Sequence, residues 1–117
     1  MKESGNGVAW VPNMDVVAHE QGAVVKAELA GIRREDLTLT IDGNRLRIKG
    51  VRRDAPRASG SRFLFMEIEY GPFEAAVELP PNLDLTSARA VYLNGFLCVE
   101  FKRSDTGPSG PQRIEVA

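Results

Sequence analysis

The chain is 117 residues long, 43% hydrophobic and 26% charged, with a formal net charge of -1; a chain of this size buries roughly 60–70% of its unfolded surface, so it suits one domain with a core of its own. The balanced charge excludes a general pull toward nucleic acid or an anionic membrane, and no apolar run approaches the ~20 residues that cross a bilayer. The single cysteine, Cys98, excludes an internal disulfide framework.

Residues 1–13 read as a short flexible arm whose apolar content is Val8, Trp10 and Val11. Its first seven residues lack the apolar core of a signal peptide, so a cytoplasmic location is expected. From 14 to 103 the pattern has period 2 almost throughout, as half-buried strands require. A weak strand at 14–18 comes first. In 23–29, Ala23, Val25, Ala27 and Leu29 share one face. Arg33 to Asp36 fits one turn of helix. In 37–42, Leu37, Leu39 and Ile41 alternate with Thr38, Thr40 and Asp42; in 45–49, Leu46 and Ile48 alternate with Arg45, Arg47 and Lys49. Asp42-Gly43-Asn44 between them is a hairpin signal, because Gly and Asn tolerate positive φ. A strand at 73–79 ends at Pro80-Pro81, which cannot donate to a ladder. Strands at 88–93 and 96–102 flank Asn94-Gly95, the strongest short hairpin signal. No stretch of helical length carries a 3.6-residue apolar stripe. Strands at this spacing predict an all-β, immunoglobulin-like, two-sheet antiparallel sandwich.

One connection stands out. About 20 residues separate the strand ending near Val51 from the one starting near Phe73, and connections this long are uncommon. Its first half is polar. Its second half, 62–68, is extended and apolar on both faces, with Phe63, Leu64, Phe65, Met66 and Ile68. Such a segment needs a partner on each side. It is either exchanged with a second subunit or an extra strand of the same sheet.

Catalytic chemistry is not legible. His19 is the sole histidine, near Asp15, with no nucleophile elbow in the chain. Cys98 sits inside a strand and reads as an inert thiol. These residues cannot complete a tetrahedral metal site, and Gly107-Pro108-Ser109-Gly110 precedes no helix that would make it a phosphate loop. No cofactor and no enzyme activity are expected. Arg45, Arg47, Lys49, Arg52 and Arg53, with Phe63 and Phe65 nearby, imitate a nucleic-acid-binding face, but the overall charge favours a solvated one.

The chain ends in Ile114-Glu115-Val116-Ala117, beyond a stretch from Ser104 to Pro111 that reads as flexible. Two β-branched knobs at strand spacing on a tether imply docking, on this domain or on another copy.

Several segments carry a family resemblance. Ala90-Val91-Tyr92-Leu93-Asn94-Gly95-Phe96-Leu97 resembles the A-x-x-x-N-G-(V)-L signature of small heat-shock proteins, with Ala90, Asn94, Gly95 and Leu97 at the marked places. The stretch 27–37, Ala27-Glu28-Leu29-Ala30-Gly31 through Glu35-Asp36-Leu37, resembles their AELPG…ED segment. Tyr70-Gly71-Pro72-Phe73 resembles YGxF, Leu79-Pro80-Pro81-Asn82-Leu83-Asp84 resembles LPxxVD, and Ile114-Glu115-Val116 resembles the terminal I-x-I/V motif. The likeness covers about 14–116, in the right order and spacing. It departs at Ala30, where the family often has Pro, at Ala75, where an arginine is common, and in the arm, usually longer and Phe-rich.

The resemblance implies an α-crystallin sandwich at 14–103 with a tail at 104–117. It implies an ATP-independent holdase that binds partly unfolded client proteins without cofactor, nucleic acid or membrane. It also implies a homodimer in which residues 62–66, with Phe63, Leu64, Phe65 and Met66, pair with the partner's strand 14–18. Ile114 and Val116 would dock between 37–41 and 88–93 of a neighbouring domain, in a groove formed by Leu37, Leu39, Ile41, Ala90 and Tyr92, giving weak higher oligomers. With so short an arm, small assemblies are expected. The alternative is a CS-type co-chaperone sandwich that recognises one defined folded partner; such domains generally lack the terminal motif.

Overall fold

A computed structural model of the chain describes residues 2–4, 10–104 and 112–117. The strands are β1 (Lys2–Ser4), β2 (Met14–His19), β3 (Gly22–Glu28), β4 (Thr38–Asp42), β5 (Arg45–Arg52), β6 (Gly71–Glu78), β7 (Leu83–Leu93), β8 (Phe96–Arg103) and β9 (Gln112–Ile114). A 3-10 turn at Arg34–Asp36 leads into β4. Five strands form one sheet in the order β1-β6-β5-β4-β9, and four form the other in the order β2-β3-β8-β7. Every named ladder is antiparallel. This is the two-sheet all-β sandwich that the alternation predicts.

The core follows from register. Ala27, Val25 and Ala23 of β3 lie opposite Leu97, Val99 and Phe101 of β8. Across the sandwich, Leu39 pairs with Ile48, which pairs with Ala75, and Ile41 pairs with Leu46, which pairs with Val77. All are fully or nearly fully buried. Burying one aliphatic side chain contributes roughly 1.5–3 kcal/mol, and a one-residue slip would turn each row out to water. The β7–β8 turn uses Asn94 at φ 54° and Gly95 at φ 83°, the paired positive φ values of a type I′ hairpin. The Gly95 carbonyl accepts from the Leu29 amide at 2.8 Å, which ties the turn to the end of β3.

Three features differ from the sequence reading. First, β7 begins at Leu83, not near 88. Between Asp84 and Arg89 the chain advances five residues while β8 advances two, from Lys102 to Glu100. Asp84 Oδ1 accepts from the Thr86 amide, and Ser87 Oγ accepts from the Lys102 amide at 2.8 Å. The run Asp84-Leu85-Thr86-Ser87, with Leu85 buried and its polar neighbours bonded locally, is therefore a bulge inside a strand. Second, Lys2–Ser4 pairs with Val77–Ala75 of β6, and Trp10 is only 6% exposed, so part of the expected arm belongs to the folded unit. Third, residues 53–70 contain no strand in the single chain. The glycine-rich stretch at 107–110 lies outside the described residues.

The basic face is partly neutralised. Arg47 lies 3.0 Å from Glu74 and Arg45 3.7 Å from Glu78, across the β5–β6 ladder. Arg53 forks onto Asp36 at 2.9 and 3.2 Å. Arg45, Arg47 and Arg53 thus each face a carboxylate, so part of this basic stretch is locally neutralised.

The Arg53–Asp36 pair also makes stability depend on pH. Hydrogen bonding from Arg53 holds the Asp36 carboxyl below its ordinary range, helped by the charges of Arg53 and Arg33 and opposed by desolvation. A depressed folded pKa stabilises above the unfolded value, about 4, and the contribution fades as pH falls through the folded one. Arg53→Met is therefore expected to lower the urea midpoint at pH 7, with the gap to the parent protein closing below pH ~4. A gap that stays constant at acid pH would assign the loss to packing by the arginine stem.

Candidate functional site: a filled groove and an open loop

The groove lies between β4 of one sheet and β7 of the other. Leu39 and Ile41 form its floor, both fully buried, and Leu37 is 7% exposed beside them. Ala90 of β7 supplies a small wall. The Tyr92 hydroxyl donates to the Leu29 carbonyl and accepts from the Ile32 amide at 3.2 Å. That fixes the ring and links β7 to the turn before β4. The Asn94-Gly95 hairpin sets the end of this wall, and Leu97 then returns to the core.

The chain's own tail fills the groove. β9 runs antiparallel to β4, with Ile114 opposite Leu39 and Arg113 opposite Thr40. Val116 then bridges Ala90 in the parallel sense. The Ala117 amide donates to the Ala90 carbonyl at 2.7 Å, and the Tyr92 amide donates to the Ala117 carbonyl at 3.1 Å. Strand alternation turns Ile114 and Val116 inward while Arg113 and Glu115 are exposed. Ile114 is 7% exposed and packs with the core. The predicted motif and its predicted receiver thus meet, with the receiver on the same chain. The tail hydrogen-bonds to both sheets, a mode in which main-chain bonds give affinity and alternate side chains give specificity.

The loop is the opposite case. Phe63, Leu64, Phe65 and Met66 are 50, 85, 79 and 59% exposed, and Ile68 is 62% exposed. None joins a ladder in the single chain. In the four-stranded sheet, β2 is the outer strand, with Val16 37% and Val17 57% exposed. An exposed apolar segment and an open strand edge therefore coexist, each of them a site that invites pairing.

Other candidate residues do not converge. His19 Nδ1 accepts from the Gln21 amide at 3.2 Å, within a turn. Cys98 is half-buried and unpaired in β8. Among the described residues no three His, Cys, Asp or Glu side chains come together as metal ligands, and no helix is long and apolar enough to cross a membrane. Sequence reasoning missed Trp10. Its indole Nε1 donates to the Gly71 carbonyl at 3.1 Å, 61 residues away, and its ring lies 4.9 Å from that of Phe73. No local pattern encodes a contact at that separation.

A model of the Hsp20/alpha crystallin family matches residues 15–117, from β2 through the seated tail. The chain belongs to this family. Relatives agree with that placement. The spore protein SP21 of Stigmatella aurantiaca is 33% identical over 110 residues, 93% of this chain and 63% of its own. The chain therefore spans less than two thirds of that relative. A small heat-shock protein from Xylella fastidiosa, whose crystal structure is described as revealing a distinct high order structure, superposes with a TM-score of 0.74 at 28% identity, over 94% of this chain and 99% of its own. The hspA protein of Xanthomonas axonopodis gives 0.72 at 29% identity, over 80% and 94%. The α-crystallin sandwich is thus the shared element.

Proposed function

We propose that this Hsp20-family chain is an ATP-independent holdase chaperone that binds partly unfolded proteins and limits their aggregation. The observation that carries the reading is the groove. It takes an extended segment by main-chain bonds on both sides and accepts alternate apolar side chains from a tethered tail. A client segment with the same alternation satisfies the same groove once the tail leaves. In this proposal dimers form by exchange of the 62–66 segment onto the partner's β2, and tails link dimers by docking in a neighbour's groove instead of their own. A cytoplasmic setting, consistent with a lone reduced cysteine, belongs to the same reading.

The holding reaction is tested by adding the purified protein to several unrelated heat-labile proteins without nucleotide. Light scattering should fall with increasing chaperone for all of them. Suppression of a single client, or a requirement for ATP, would defeat the proposal and favour recognition of one defined partner.

The tail is suited to reversible docking. Burial of its two side chains contributes roughly 1.5–3 kcal/mol each, and ordering a residue's backbone costs roughly 1–2 kcal/mol. The net is small enough for heat to release it. The double variant Ile114→Ala, Val116→Ala is expected to remain a folded dimer but to lose any larger species in dynamic light scattering. An unchanged size distribution would remove the tail from assembly.

A further inference from the structure

The loop that carries the exposed apolar segment leaves the sandwich after Arg52 and returns at Gly71, and these two residues face each other across the β5–β6 ladder. The Arg52 side chain spans this stem. Its Nε donates to the Ala30 carbonyl and its Nη1 to the Glu69 carbonyl, each at 3.0 Å. Its guanidinium carbon lies 4.1 Å from the centre of the Trp10 ring. The indole is itself fixed by its bond to the Gly71 carbonyl and by the tilted Phe73 ring. One guanidinium and one indole therefore touch the start of the loop, its last residues and the segment ahead of β2. Trp10 lies outside the stretch that matches the family model.

We infer that Arg52 and Trp10 form a clamp that sets the direction in which the 53–70 loop leaves the domain and couples that direction to the seating of the segment preceding β2. An extended segment that must reach a strand edge on another subunit binds better when its stem is already ordered, because less freedom is lost on association. The guanidinium suits this role because it is planar, stacks on aromatic faces and donates in fixed directions, which lysine does not. Arg52 is a positioning residue here; its consequence for the dimer rests on the proposed strand exchange, while the clamp itself does not.

Three variants separate the contributions. Arg52→Met keeps the stem but removes the fork and charge, Arg52→Lys keeps the charge alone, and Trp10→Phe keeps a ring without its donor. In sedimentation velocity, Arg52→Met should raise the dimer dissociation constant about tenfold, the equivalent of one charge-assisted hydrogen bond. Arg52→Lys should come close to it, and Trp10→Phe should show a smaller rise. Trypsin should cut after Arg57 and Arg62 several times faster in Arg52→Met, about as expected when a loop root loses a bond of this strength. Emission from Trp10, the only tryptophan, should shift to the red. Parental dimer affinity together with parental cleavage rates would overturn the clamp, even if the urea midpoint fell, because that pattern describes a purely structural contact. A parent protein that is monomeric at all concentrations would instead defeat the strand exchange, and the cleavage rates would still decide the clamp.

Discussion

Removal of residues 59–66 is expected to turn the proposed dimer into a folded monomer. The segment contains Phe63, Leu64, Phe65 and Met66, which are at least half exposed in the single chain. Burying one such side chain contributes roughly 1.5–3 kcal/mol. Reciprocal exchange buries two copies of the set, a gross gain on the order of 10–20 kcal/mol, against an association cost of about 4–15 kcal/mol. Loss of the whole set leaves nothing comparable to offset that cost. The domain itself should survive. Arg52 and Gly71 remain paired across the stem, the remaining residues suffice to close it, and loop-closure entropy changes slowly with length. The core residues on β3, β5, β6 and β8 are untouched. Native mass spectrometry and urea unfolding read the two outcomes separately. A dimer that persists at micromolar concentration would place the interface elsewhere, with the edge at β1 the first alternative. An unfolded product would show instead that the segment packs on its own domain.

The contrast between what the sequence revealed and what it hid has a consistent physical cause. Leu39, Ile41, Leu46 and Ile48 were legible because local alternation and the Gly43 turn dictate both their strands and their shared face. The same holds for the Asn94-Gly95 hairpin and for the groove residues on either side of it. Other features depend on distant partners. Lys2–Ser4 carries no apolar alternation, and its place along β6 comes from an edge left open by the rest of the sheet. Trp10 is buried by the loop stem, not by its neighbours in sequence. Asp84 to Ser87 has the composition of a turn, but it forms a bulge within a strand that continues past it. The tail motif announced that it docks. Whether it docks on its own domain or on a neighbour is a question of tether length and protein concentration, which side-chain pattern does not encode. The exposed loop likewise announced a missing partner without identifying it. Local pattern thus specifies the sandwich and the groove, whereas in the proposed assembly the occupants of the groove and of the β2 edge are set by competition.

That competition depends on β2 being held straight along β3, and the position most sensitive to failure there is Gly22. It begins β3, opposite His19 of β2 and Lys102 of β8. A Cβ at this position would sit 1.9 Å from the Phe101 carbonyl oxygen and 2.9 Å from its carbon. Both atoms are backbone in a central strand, so no flexible side chain can give way. Relief requires β3 to move from β8, which disturbs the rows Ala23–Phe101 and Val25–Val99 at the centre of the core. Gly22→Ala is therefore expected to cost about 3–5 kcal/mol, in the range that marks a specific structural defect. That is a large share of the roughly 5–15 kcal/mol available to a domain, and it corresponds to a fall in melting temperature of roughly 10–20 °C. Gly43→Ala provides the matched control. Gly43 has φ 63° but no atom within 4 Å of an added Cβ, so it incurs only the left-handed backbone strain, about 1–2 kcal/mol. Gly22 also has a positive φ, 154°, so its variant carries backbone strain in addition to the clash. Circular dichroism melts of the two variants set clash plus strain against strain alone. If Gly22→Ala melts within a few degrees of Gly43→Ala, the β3–β8 contact is softer than its geometry requires. If it melts far lower, the proposed loop exchange should fail with it, because the β2 edge that would receive the partner's segment is carried on β3.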